Sequence, residues 1–245
     1  KNTTGRAADW EAAGLDWLAR AEPDGGVRIC RVLGRPDGGL ELERIREAAP
    51  SKSAAGAFGQ ALAVTHDAGA PAFGAGPDGW EGDGYQGPAG QQLDLRLGSW
   101  GSWGEFCAAA RVAPLVRAGR FGADERALFG KLCDRLRAGD FDDDDAPARC
   151  HGDLWSGNVL WTEDEVVLID PTAFGGHRES DLAALSLFGA PHLREIIAGY
   201  QQVHPLQEGW EDRVALHQIH LMLLHAVLFG GGYVTRALEI ARRYA

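Results

Sequence analysis

Apolar residues recur at helical spacing over residues 7–20, where Trp10, Ala13, Leu15, Trp17 and Leu18 share a stripe, and the pattern stops at the turn Pro23-Asp24-Gly25-Gly26. Alternation replaces it over 27–33 and 40–45, on either side of GRPDGG, which predicts a β-hairpin. A second helix is predicted over 54–68, with Phe58, Leu62 and Thr65/His66 on one face. Residues 69–101 are dense in Gly, Pro and Asp and predict loop; helical spacing resumes over 102–117 and 124–138. The acidic run GDFDDDDAPAR lacks the alternating aspartates of a calcium loop and reads as a solvated loop. VLW and VVLI around TEDE then predict a hairpin over 159–169, and helices are expected over 181–188, 192–203, 208–229 and 233–244. The pattern is α+β: a small N-terminal part with strands, then a mostly helical part carrying one hairpin.

Composition narrows the function. A chain of 245 residues with 45% hydrophobic content can bury a large core. No apolar run is long enough for a membrane span, and KNTTGRAADW lacks the order of a signal peptide, so the expectation is a cytoplasmic protein with no membrane partner. The 35 acidic against 24 basic residues repel polyanions, so nucleic acid is not expected as a partner and a cationic or neutral small molecule is. Cys30, Cys107, Cys133 and Cys150 form no C-x-x-C pair and read as reduced thiols. Only three basic residues are lysines, Lys1, Lys52 and Lys131, which draws attention to the first of them.

The chemistry concentrates in HGDLWSGN. Phosphoryl transfer needs a carboxylate to accept the proton of the attacking hydroxyl, oxygen ligands for Mg²⁺ and a cation on the nucleotide phosphates. His151, Asp153 and Asn158 keep the H-x-D-x-x-x-x-N order in which a base and a metal ligand share one loop. Asp170, directly after VVLI, stands where a second ligand would follow one hairpin later; the alternative is a turn in which Asp153 and Asp170 only cap backbone.

These residues carry a resemblance. HGDLWSGN, IDPTAFGGHRESDLAALSLFG, YQQVHPLQEGWEDRVALHQIHLMLLH and FGGGY resemble the fructosamine kinase (ketosamine 3-kinase) family, in the aminoglycoside phosphotransferase-like branch of the protein-kinase fold. The likeness runs from Lys1 to about Tyr233; KNTTGRAADWEAAGLDWL resembles the lysine strand and glutamate helix, LELE the lobe-connecting segment, and WGEFCAAARVAPLV a W-x-x-F…R-x-x-P helix. It implies a two-lobe protein-kinase-like fold, with 1–45 a partial N-lobe apparently truncated before its lysine and 46–245 a helical C-lobe. It also implies Asp153 as base, Asn158 and Asp170 as Mg²⁺ ligands, Lys1 paired with Glu11 on the ATP phosphates, and Glu43 and Ile45 at the nucleotide from the connecting segment. The implied activity is ATP-dependent phosphorylation of the 3-hydroxyl of ketoamines, leading to deglycation. The alternatives are a kinase of another hydroxylated amine, such as an aminoglycoside or choline, or an inactive kinase-like binding module without its nucleotide lid. Oligomeric state is not legible.

Of the remaining polar residues, His151 is expected to pack and hydrogen-bond the loop rather than transfer protons. Trp155 offers a flat face for the substrate or is a core tryptophan. Asp181 is expected to cap the following helix. His177 and Arg178 are placed near the substrate cleft by the resemblance, Arg178 in an ion pair with a catalytic-loop carboxylate. His217, His220 and His225 lack metal-ligand spacing and read as core or groove histidines, and Trp100 and Trp103 as packing.

Overall fold

A computed structural model describes residues 5–245; Lys1 lies outside the described residues. The chain enters through α1 (Arg6–Ala19), whose buried stripe includes Trp10, Leu15, Trp17 and Leu18 as its spacing predicts. β1 (Arg28–Ile29), β2 (Val32–Gly34) and β3 (Glu41–Leu42) follow. The predicted hairpin divides: Val32 and Gly34 pair antiparallel with Leu42 and Glu41, whereas Arg28 and Ile29 pair in parallel with Val167 and Leu168. Alternation marks a strand but not its partner, and burying Ile29 needs the distant one.

α2 (Lys52–Asp67) begins at Ser51, whose Oγ accepts the Ala54 N–H. The predicted loop over 69–101 contains a short antiparallel pair, β4 (Gly84–Gln86) and β5 (Leu93–Leu95), too brief to leave a period in the sequence. The helix predicted over 102–117 is α3 (Trp103–Phe106) and α4 (Ala113–Ala118), joined by a π-helical stretch over Cys107–Val112. Within that stretch Arg111 is buried between the rings of Phe106 and Phe174, 4.4 and 4.1 Å from their centroids. α5 (Ala123–Arg137) follows.

The functional region is framed by β6 (Ala148–Cys150), β7 (Val159–Trp161), β8 (Val166–Leu168) and β9 (Phe174–Gly176). β7 and β8 form the predicted hairpin, with Val159 opposite Leu168, in a sheet ordered β1-β8-β7. β6 and β9 pair antiparallel, Cys150 opposite Phe174, and so clamp together the two ends of the segment that carries HGDLWSGN and the aspartate after VVLI. The chain finishes in α6 (Arg178–Leu187), α7 (Leu193–Val203), α8 (Trp210–His217), α9 (Ile219–Phe229) and α10 (Gly232–Tyr244). The helix predicted over 208–229 divides at Gln218, whose Nε2 donates to Ala183 O and Ser186 Oγ.

Two cores result. One joins α3, α5, α9 and α10 through Trp103, Phe129, Leu132, Leu223 and Ile240. The other joins α1, β1, α2, β8 and α7 through Trp17, Ile29, Phe58, Leu168 and Tyr200, across residue 45. α2 and α7 touch backbone to backbone: a Cβ on Gly59 would lie 2.0 Å from Ile196 O, and one on Gly199 2.1 Å from Gly56 O. Only glycine permits that approach, and it brings His66 of α2 to Tyr200 of α7. Among the described residues no helix is long and apolar enough to cross a membrane, and the four cysteines are buried and free.

The acidic run departs from the expected solvated loop. Asp142 accepts the Gly104 N–H at 2.7 Å, Asp143 accepts from His177 Nε2 at 3.1 Å, and Asp145 accepts from Arg178 Nε at 3.1 Å. Its partners sit on distant helices, so no local pattern could announce them. Arg213 on α8 completes the network by gripping Glu179 through Nε and Nη2 and reaching Asp143 at 3.3 Å.

This network makes the fold sensitive to acid. Burial works against the charge on Glu179 and on Asp143, but the His217 imidazole 3.2 Å from the first, with hydrogen bonds to it from Arg213, and the hydrogen bond from His177 to the second outweigh it and hold both pKa values at about 2. Burial pushes His217 down to about 4. All three groups bind protons in the unfolded chain at their ordinary values, 4.5, 3.8 and 6.5, above the folded ones. The unfolded state therefore takes up more protons as pH falls, and stability drops as it does so. Melting temperature is expected to hold above about pH 6.5, decline towards about pH 4 through His217, and decline further towards about pH 2 through the carboxylates. Thermal melts from about pH 7.5 to about pH 4.5 check this; an unchanged melting temperature across that range contradicts it.

Candidate functional site

The segment after β6 turns on its own backbone. His151 is buried; its Nε2–H donates to Ile169 O at 2.9 Å and its Nδ1 accepts the Asp153 N–H at 3.2 Å, which fixes the tautomer and ties the loop to the end of β8. Burial pushes its pKa down, so it is a neutral tie, as its sequence position suggested. Asn158, also buried, donates its Nδ2 to Asp153 O at 2.8 Å and to Asp153 Oδ2 at 3.1 Å. Both donors of the amide serve Asp153, which leaves Asn158 Oδ1 as the end available to a cation.

Asp181 does not cap α6 as expected; the cap is His177, whose Nδ1 accepts the Glu179 N–H. The Asp181 carboxylate reaches instead into the loop, accepting the N–H of His151 at 2.7 Å and of Gly152 at 3.0 Å. His66 Nε2 lies 3.2 Å from the same carboxylate, and His66 Nδ1 lies 2.8 Å from Tyr200 Oη. Arg178 Nη1 donates to Tyr200 Oη at 3.0 Å, so the phenol O–H donates its hydrogen bond to His66 Nδ1, and the imidazole is a neutral Nε2–H donor to Asp181. Burial opposes charge on Asp181, yet the hydrogen bond from His66 and those from the loop hold its carboxyl below the usual range. A buried, ionised carboxylate thus anchors the backbone of both residues that precede Asp153.

Asp170 follows β8 with φ of 55°, a left-handed conformation uncommon for an aspartate. Strain of this kind persists where the surrounding structure enforces it and gathers at functional positions. A cavity of about 560 Å³ is lined by Glu11, Asp153, Trp155, Asn158 and Asp170 together. The donor set of a carboxylate and an amide oxygen suits a hard cation such as Mg²⁺. Asn158 and Asp170 would hold it.

Other expected residues sit elsewhere. Glu43 and Ile45 line a separate cavity of about 440 Å³ with Arg28 and the β7–β8 turn. Glu43 Oε2 pairs with Arg28 at 2.7 Å, and its Oε1 accepts the Arg31 N–H at 2.9 Å. His177 and Arg178 are buried and line neither cavity. Arg178 bonds Asp145 and Asp67, not the catalytic-loop carboxylate expected of it. His217 is on α8, while His220 and His225 face the main cavity from α9.

The sequence reading did not anticipate the cavity's far wall: Tyr85 and Gln86 of β4, Phe188 at the end of α6, Leu224 and Phe229 of α9, and Tyr233 of α10. Glycines between two aromatic residues in FGGGY were the available signal for part of it. For the tie of His66 and Tyr200 to Asp181 there was none, because those residues lie on separate helices.

Comparison with known proteins gives the family. The family model described as fructosamine kinase matches residues 34–244. A Synechocystis protein assigned as a ketoamine kinase is 32% identical over 241 residues, covering 95% of this chain and 77% of that one. A crystal structure from Thermobifida fusca, of a protein assigned as a fructosamine-3-kinase, superposes with a TM-score of 0.85 at 42% identity, over 96% of this chain and 78% of that one. The aminoglycoside phosphotransferase APH(4)-Ia superposes with a TM-score of 0.57 at 17% identity, over 98% of this chain and 84% of that one, and marks the fold as protein-kinase-like. With its loop, hairpin and helices arranged in this way, the chain belongs to the fructosamine kinase family.

Proposed function

We propose that this protein is an Mg·ATP-dependent kinase that phosphorylates the 3-hydroxyl of ketoamines and thereby starts their deglycation. The observation that carries the reading is that Asp153, Asn158 and Asp170 line one cavity in a chain of this family. Asp153 accepts the hydrogen bond of the attacking hydroxyl, orients it in line and takes its proton as the oxygen bonds to the γ-phosphorus and the bond from that phosphorus to the oxygen leaving with ADP breaks. Asn158 holds Asp153 in place through its amide while presenting Oδ1 to the metal side. When bound, Mg²⁺ neutralises charge on the β- and γ-phosphate oxygens. Glu11, buried on α1, faces the same cavity and is positioned to orient a cationic partner of the phosphates; Lys1 is the residue proposed for that role. Trp155, 38% exposed, gives the acceptor a flat face beside the base.

A phosphate at C3 leaves far more readily than hydroxide, so the product eliminates it, and water then hydrolyses the resulting C1=N bond to a carbonyl and the free amine. The reading places the protein in the cytoplasm, where ATP and free thiols coexist. ADP release with Mg·ATP and fructosyl-lysine, ribulosyl-lysine, kanamycin or choline tests it. Turnover is expected on a ketoamine. Absence of turnover on both ketoamines overturns the reading, and turnover confined to kanamycin or choline replaces it with the other kinase class.

A further inference from the structure

We infer that Phe188, His225, Phe229 and Tyr233 form an apolar subsite for the nitrogen substituent of the acceptor, so that ketoamines with a long aliphatic or aromatic substituent are the favoured substrates. This rests on the ketoamine reading above. The rings form a continuous track. From Trp155, beside the base, the centroid of Phe188 is 5.9 Å away, and from Phe188 that of His225 is 5.6 Å away. His225 in turn lies 5.6 Å from Phe229 and 4.9 Å from Tyr233.

All four residues line the main cavity, yet Phe188 is 41% and Phe229 59% exposed. Apolar surface held in water beside a reactive site is recovered when an apolar ligand covers it. His225 is not free to turn away, since its Nδ1–H donates to Leu221 O at 2.7 Å.

The FGGGY motif builds the end of this track. Gly230 and Gly231 adopt φ/ψ of 65°/−144° and 60°/−137°, conformations that side chains bar to other residues. They reverse the chain between α9 and α10, and Tyr233 returns to within 6.3 Å of Phe229.

The cavity is consequently two-sided. Among the described residues its charged lining residues are Glu11, Asp153 and Asp170, and none of these belongs to α6, α9 or α10, which contribute the four rings together with His220, Leu221, Leu224 and Leu228. A ketoamine has the same division. Its reacting oxygen is on C3 and its nitrogen on C1, so with the hydroxyl at Asp153 the substituent on nitrogen extends away from the base. A polyol at the carboxylates and a hydrocarbon chain on the rings satisfies both walls.

Two fructosamines that differ only in that substituent, one made from methylamine and one from hexylamine, test the assignment through the ratio of their kcat/KM values. The protein is expected to favour the hexyl compound by about tenfold or more, and Phe229→Ala to erase most of that preference. Phe229→Leu keeps the apolar area and is expected to restore it. A wild-type ratio near one, or the same ratio in Phe229→Ala, overturns the subsite while leaving the ketoamine reading intact. Turnover of neither compound overturns both.

Discussion

Replacing Asp153 by asparagine is expected to lower kcat about a thousandfold while leaving the KM for ATP close to its original value. The substitution keeps the shape of the side chain and one acceptor oxygen for Asn158 Nδ2, now 3.1 Å from Oδ2, so the loop has no reason to collapse. What disappears is the ability to take the proton of the attacking hydroxyl as its bond to phosphorus forms. Because that capacity is used only in the transition state, the loss falls on kcat rather than on binding. Steady-state ADP release, with thermal melts to confirm folding, measures both quantities. A variant that retains kcat within tenfold would remove Asp153 from the role of base.

The parts of this site that could be read from the sequence are those whose contacts are local. His151, Asp153 and Asn158 bond one another within a single loop, so a spacing rule captures them. VVLI is apolar because β8 is buried, and it announced the strand that leads to Asp170. Failures came where a short element meets a distant partner. β6 and β9, three residues each, have no period to detect. Arg28 and Ile29 looked like half of a local hairpin because alternation is blind to which edge a strand joins. Asp181 stands within a turn of the start of α6 and was read as a cap by that proximity. Its acceptors were already claimed by the loop behind it, which only the packing of α6 against β6 reveals.

Asp181→Asn is expected to reduce kcat about a hundredfold, with the KM for ATP and for the acceptor nearly unchanged. The carboxylate serves three donors with two oxygens: His151 N–H and His66 Nε2 on Oδ2, and Gly152 N–H on Oδ1. An asparagine supplies one oxygen, and its amide group then faces an N–H that has lost its acceptor. Leaving a buried donor unsatisfied costs about 1–3 kcal/mol, and the loop relieves that cost by shifting. Asp153 is the residue it would carry along, and a displacement of about 1 Å at the reacting group is enough for a hundredfold loss. Asp181 lines neither cavity, so no bound ligand loses a contact and the KM values have no cause to rise. His66→Phe removes one donor and strands none of the loop's N–H groups, and should therefore cost about tenfold or less. If Asp181→Asn instead raised KM while kcat held at a temperature where the variant is fully folded, the carboxylate would be acting on ligand binding and not on the position of the base. If the two variants lost kcat equally, the loop anchor would lie in the imidazole rather than in the carboxylate's hold on the backbone.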